Sequence, residues 1–215
     1  MSQPYVLYGS PSTASLCVHW MLIDLGVPFE LRVLDFDRGQ QRDPDYLRLN
    51  PQGRVPTLVV DGAPVSESAA ILMLLAERHP ESGFGVAPGA PQRAAYLQAM
   101  VSLANNLLPA YRNWFYADTD GDPAGAGAIR ERARVQVEAA WERLDDQLAD
   151  GRAFLLGERK TAADHLATML ARWSRNMPRP ATSWAHVGAY VDRMRRDPGL
   201  REVHRREALT DWIDG

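Results

Sequence analysis

The stretch Asn50-Pro51-Gln52-Gly53-Arg54-Val55-Pro56-Thr57-Leu58-Val59-Val60-Asp61-Gly62, with Glu67-Ser68-Ala69-Ala70-Ile71 close behind it, decides the fold of this chain. Asn50-Pro51 and Gly53 punctuate a turn, and Thr57-Leu58-Val59-Val60 is an apolar, partly β-branched run that predicts a strand. Asp61-Gly62 suits a two-residue hairpin turn, whose central residues need positive φ. A helix is expected to begin at Ser66 or Glu67 and to continue through Ala69, Ala70, Ile71 and the leucines behind them.

A binding site follows from that order of elements. The first amides of a helix lack intrahelical partners and sit at the positive end of its dipole, so they suit a carboxylate. Glu67 adds a counter-charge for an ammonium beside it. If the Val55-Pro56 bond is cis, the Val55 N–H and C=O turn outward, where an extended peptide can pair with them as a strand would. The expected ligand is an α-amino acid end joined to a peptide.

Outward from this stretch, residues 5–8 and 29–34 read as strands and 15–25 as a helix stopped by Gly26, with a polar segment at 35–45. This β-α-β unit, followed by a hairpin and a helix, suits a small mixed sheet with helices packed on it. His79-Pro80 ends the helix, and the glycines and prolines of 81–91 read as a linker. The expected division is therefore a sheet domain at 1–80, a linker at 81–91 and an all-helical domain at 92–215. In the last of these Leu97, Met100, Val101, Ala104, Leu107, Leu108 and Tyr111 recur at helical steps, as do Val137, Trp141, Leu144 and Leu148. Pro109 should kink the first long helix, and 118–127 reads as a loop. Thr161 with Asp164 three residues on forms a capping box for a later helix.

A net charge of −3 gives no excess of cations to neutralise a phosphate backbone, so nucleic acid is not expected as a partner. The single cysteine, Cys17, excludes an internal disulfide framework and fits a reducing compartment. No apolar run approaches the length of a membrane span, and the chain starts without a signal-like segment, so the expected location is the cytoplasm, with no membrane partner. The five histidines show no metal-ligand spacing, and no metal is expected.

The ordered motif at 50–71 resembles the glutathione-binding half of the cytosolic glutathione transferase family, and 154–164 is similar to the capped buried helix of its second domain. That resemblance implies an α/β thioredoxin-like N-terminal domain plus an all-α C-terminal domain. It implies that Val55-Pro56 is cis and pairs with the cysteinyl backbone of glutathione, while Glu67 and Ser68 hold the γ-glutamyl end. Lys160 stands where relatives often carry an apolar residue, so the hydrophobic staple is expected to be missing.

The implied activity is attack by the thiolate of glutathione, a co-substrate, on a small apolar electrophile. A free thiol has a pKa of about 8.5, and lowering it by about 2 units needs roughly 2.7 kcal/mol. One hydroxyl donating to the anion, worth roughly 1.5–3 kcal/mol, nearly suffices. The loop Gly9-Ser10-Pro11-Ser12-Thr13-Ala14-Ser15 supplies hydroxyls where the first strand meets the first helix. Alignment on Gly26 puts Ser12 where theta, zeta and phi-like members carry a catalytic serine. Tyr8, the alternative, falls where the alpha, mu and pi classes carry a tyrosine, and Ser10, Thr13 or a main-chain amide complete the candidates. Ala14 occupies the beta-class cysteine position, which argues against cysteine chemistry.

Arg42 and Arg54 are candidates for the glycyl carboxylate of glutathione, with Gln41 replacing the histidine of a phi-like His-Lys pair. The resemblance places the electrophile against the helix after the linker, where Tyr111 and Phe115 offer stacking area. It also implies a homodimer. Two other readings share the same motifs: a glutathione-dependent peroxidase, dehalogenase or isomerase, and a non-catalytic transferase-like binding protein.

Overall fold

The computed structural model describes residues 4–121 and 123–213. Residues 1–3, 214 and 215 of the two expected domains, and Asp122 of the expected 118–127 loop, lie outside them. The chain divides into two compact units, Met1–Gly85 with Arg195–Gly215, and Val86–Met194.

The first unit is built on four strands, β1 Tyr5–Gly9, β2 Phe29–Val33, β3 Thr57–Val60 and β4 Ala63–Ser66, in the order β2-β1-β3-β4. β1 and β2 are parallel, and β3 runs antiparallel to both β1 and β4. Asp61 and Gly62 both have positive φ, the backbone twist that the tight β3–β4 turn requires. The helices are α1 Leu16–Leu25, α2 Pro44–Leu49 and α3 Ser68–Arg78. Every residue of α1 from Leu16 to Leu22 is buried. This departs from an amphipathic stripe because both α3 and the C-terminal helix pack on α1. The short α2 falls partly in the segment expected to be merely polar. Its sequence signal is Asp43-Pro44, an extended residue followed by proline at the first helical position. With Tyr46 its only buried residue, no apolar period marked it.

The second unit is helical: α4 Arg93–Ser102, α5 Leu108–Phe115, α6 Ala126–Leu148, α7 Ala162–Trp173 and α8 Ala185–Met194. A π-helical segment, Leu103–Leu107, joins α4 to α5. Pro109 has no N–H to return to the preceding turn, so the helix widens there. Asp164 caps α7 from within, accepting the Thr161 N–H at 2.7 Å and the Leu155 N–H at 2.9 Å. Burial raises its carboxyl above the ordinary range against the pull of those bonds.

The last helix, α9 Pro198–Arg206, groups with the sheet in the first unit. Leu200 and Val203 are buried, α9 packs on α1, and Trp20 donates to the Asp197 carboxylate at 3.0 Å. A side chain at Gly199 would run into Asp24. Periodicity shows that a helix has an apolar face; it does not say which partner covers it. Among the described residues, no helix is long and apolar enough to cross a membrane.

Candidate functional site

One row of the sheet gathers the motif. Tyr8 of β1 pairs with Thr57 of β3, and Thr57 pairs with Ser66 of β4. The loop leaving β1, the Val55-Pro56 turn before β3 and Glu67 after β4 therefore share one end of three adjacent strands. Two strand spacings make that end about 10 Å wide.

The turn before β3 is held from beneath. Asn50 is buried and donates to the Arg54 carbonyl at 2.8 Å and to Thr57 Oγ1 at 3.2 Å, while the Tyr46 hydroxyl reaches the same two groups. The Val55-Pro56 bond is cis. Among the described residues, the Val55 N–H and C=O have no hydrogen-bond partner. Gly53 has a φ of 61°, and a Cβ there would lie 2.8 Å from the Gln41 carbonyl and 3.0 Å from an Arg42 guanidinium nitrogen. Only glycine lets Arg42 lie against this turn. Arg42 and Arg54 are both exposed, and the Gln41 Oε1 is buried without a hydrogen-bond partner among the described residues.

At the third strand end, Glu67 precedes α3 with a φ of 71°, an unusual conformation for a residue with a side chain. Its carboxylate is exposed, and its carbonyl accepts from Ile71, so among the described residues the amides of Ser68, Ala69 and Ala70 are the first donors of the helix, without an intrahelical partner. Ser68 itself is buried, and its hydroxyl donates inward to the Ala14 carbonyl. What Ser68 offers to a ligand is its main-chain N–H.

In the loop after β1, Thr13 donates to the Ser10 carbonyl at 2.6 Å, Ser15 to the same carbonyl at 3.1 Å, and the two hydroxyls lie 2.9 Å apart. Thr13 is thereby committed to the loop. Gly9 permits this closure, since a Cβ there would meet Ser15 Oγ at 2.6 Å. The residue preceding α1 is Ser15, so Ser12 is not the cap of that helix. Ser12 is half-buried, has a φ of 63°, and its N–H donates to Glu207 Oε2 at 2.9 Å. Glu207 escaped the sequence reading, and no local signal marks it.

Tyr8 is drawn toward β2. Arg32 donates to its hydroxyl at 2.7 Å and is itself held by Glu30, while the Tyr8 ring tilts against Tyr46 at 5.5 Å. Cys17 is fully buried, its sulfur 3.3 Å from the Ala14 carbonyl, and burial pushes its thiol up to about 12. Such a thiol is no nucleophile at neutral pH.

In the second unit the expected aromatic wall is divided. Tyr111 is fully buried, its hydroxyl accepting from Trp141 at 3.0 Å, so it belongs to the core rather than to an open pocket. Burial raises its phenol well above the usual range. Phe115 stacks on Tyr111 and meets Trp173 edge-on, with 42 % of its surface exposed. Both positions lie on one helical face, and the face alone did not say which ring the neighbours would cover.

A four-stranded thioredoxin-like sheet followed by a helical unit is the two-domain plan of the glutathione transferases. Residues 11–78 match the family described as glutathione S-transferase, N-terminal domain. A glutathione S-transferase of Xanthomonas campestris pv. campestris is 32% identical over 208 residues, covering 94% of this chain and 98% of that one. A sphingomonad glutathione S-transferase solved with glutathione aligns with a TM-score of 0.82 at 28% identity, over 95% of this chain and all of the other. A Sulfitobacter homologue with bound glutathione shares the fold at a TM-score of 0.86, with 22% identity over 96% and 99% of the two chains. The chain belongs to the glutathione S-transferase family.

Proposed function

We propose that this protein is a glutathione transferase that stabilises the thiolate of bound glutathione and delivers it to an apolar electrophile. The single observation that carries the reading is the sheet row Tyr8–Thr57–Ser66, which gives three chemically different groups one common edge. The main chain of Val55 offers a donor and an acceptor to the cysteinyl residue. Glu67 takes the ammonium of the γ-glutamyl end, and the first amides of α3 take its carboxylate. Arg42, laid against Gly53, and Arg54 are the cations for the glycyl carboxylate. An extended tripeptide covers about 10 Å, the width of the edge.

Ser12 is the thiolate donor in this reading. Thr13 and Ser15 both donate to the Ser10 carbonyl, and Arg32 draws the Tyr8 hydroxyl toward β2. The exposed Phe115 ring suits an apolar or aromatic electrophile. The family's two-fold dimer and cytoplasmic location belong to the same proposal, and sedimentation tests the dimer.

The test is an ultraviolet titration of the thiolate with glutathione saturating. The bound thiol should titrate about 1–2 units below free glutathione, consistent with one hydroxyl bond to an anion. Ser12→Ala should remove most of that shift and Tyr8→Phe little of it. An unshifted titration in the unsubstituted protein rules the reading out.

A further inference from the structure

The geometry points to Glu207, from the C-terminal segment, as the positioning residue that holds Ser12 in its working conformation, with His19 as its anchor. The Glu207 carboxylate lies between the two: Oε2 accepts the Ser12 N–H at 2.9 Å, and Oε1 lies 2.9 Å from His19 Nδ1. The Glu207 side chain is 5 % exposed and that of His19 1 %. A carboxylate only accepts, so Nδ1 of His19 carries the proton of that bond. The inference rests on Ser12 being the thiolate donor.

Three unfavourable features meet here, and folding alone explains none of them. Ser12 adopts the left-handed backbone region, which a residue with a Cβ avoids. Glu207 places a buried carboxylate at the carbonyl end of α9, where the helix dipole favours cations instead. Ala208, with a φ of 52°, fills the left-handed position of a helix stop that glycine usually takes, closed by Leu209 N–H to the His204 carbonyl at 2.9 Å. Strained backbone and buried charge converge on a site when the site uses them. An anion here would by its charge alone oppose a nearby thiolate. Its use is therefore as an acceptor that fixes the Ser12 main chain, and with it the direction of the hydroxyl.

Replacing Glu207 by methionine keeps the volume and removes the acceptor, whereas glutamine keeps an oxygen for the Ser12 N–H and drops the charge. Glu207→Met should lower the thiolate fraction of saturating glutathione and cut kcat for an aryl halide about tenfold, with KM for glutathione within about threefold. Glu207→Gln should recover most of that loss. In a Ser12→Ala background Glu207→Met should have no further effect on either readout. Should the methionine variant fail to fold, Glu207→Asp, too short to span both partners, is read the same way. Losses from Glu207→Met and Ser12→Ala that multiply, or a Met or Asp variant with an unchanged thiolate fraction, overturn the inference and leave the role of Ser12 standing. A Ser12→Ala variant that keeps the full thiolate fraction overturns the role of Ser12 and the inference together.

Discussion

The Ser68 hydroxyl donates to the Ala14 carbonyl at 3.1 Å, tying the first turn of α3 to the turn that leads into α1. The starts of α1 and α3 are thereby fixed to each other. Ser68→Ala removes the hydroxyl donor from the part-buried Ala14 carbonyl, and chemical denaturation should register a loss of about 1 kcal/mol. Affinity for glutathione should change by less than that, because the amide of residue 68 persists. A tenfold rise in KM with stability intact would mean that the hydroxyl turns to the ligand.

Glu67 is exposed, so its carboxylate does little for the fold. Glu67→Gln should leave the denaturation midpoint in place and raise KM for glutathione about 10- to 100-fold, the range of a hydrogen bond to a charged group. An unchanged KM removes Glu67 from the ammonium site.

Gly53 combines positive φ with contact against Gln41 and Arg42. Gly53→Ala should cost about 1–3 kcal/mol. It should also raise KM for glutathione, because Arg42 is pushed off the turn. A variant as stable as the parent would mean that the turn relaxes freely.

Asp164 holds two buried amides and the Thr161 hydroxyl, and it accepts from Tyr190 at 3.2 Å. Losing the cap costs about 1 kcal/mol, and leaving a buried N–H unpaired adds about 1–3. Asp164→Ala should therefore lower stability by about 2–4 kcal/mol, with turnover per folded molecule unchanged. A loss below 1 kcal/mol by urea denaturation contradicts this account.

Cys17 gives a pH dependence of known sign. Its thiol titrates near 9.0 in the unfolded chain and at about 12 in the native one. Below pH 9 both states are protonated. Between about 9 and about 12 the unfolded state releases a proton that the native state keeps, so stability falls as pH rises, by up to about 1.4 kcal/mol per unit. Cys17→Ala should flatten that slope relative to the parent, measured as denaturation free energy against pH. Parallel slopes would mean that the thiol is more accessible than its burial implies.

The hairpin at Asp61-Gly62, the helix start behind Glu67 and the cap between Thr161 and Asp164 were legible in the sequence. Each is made by groups a few residues apart, and turn and cap chemistry leaves a local signature. The inward bond of Ser68, the burial of Tyr111 beside an exposed Phe115, and the packing of α9 on α1 left none, because packing partners carry no mark in the sequence of a helix. The clearest case joins Ser12 to Glu207, 195 residues apart. The sequence by itself determined which segments could present a donor, an acceptor and a counter-charge to a peptide. Tertiary structure alone decided which carboxylate holds the serine, since that choice depends on how α9 lies on α1.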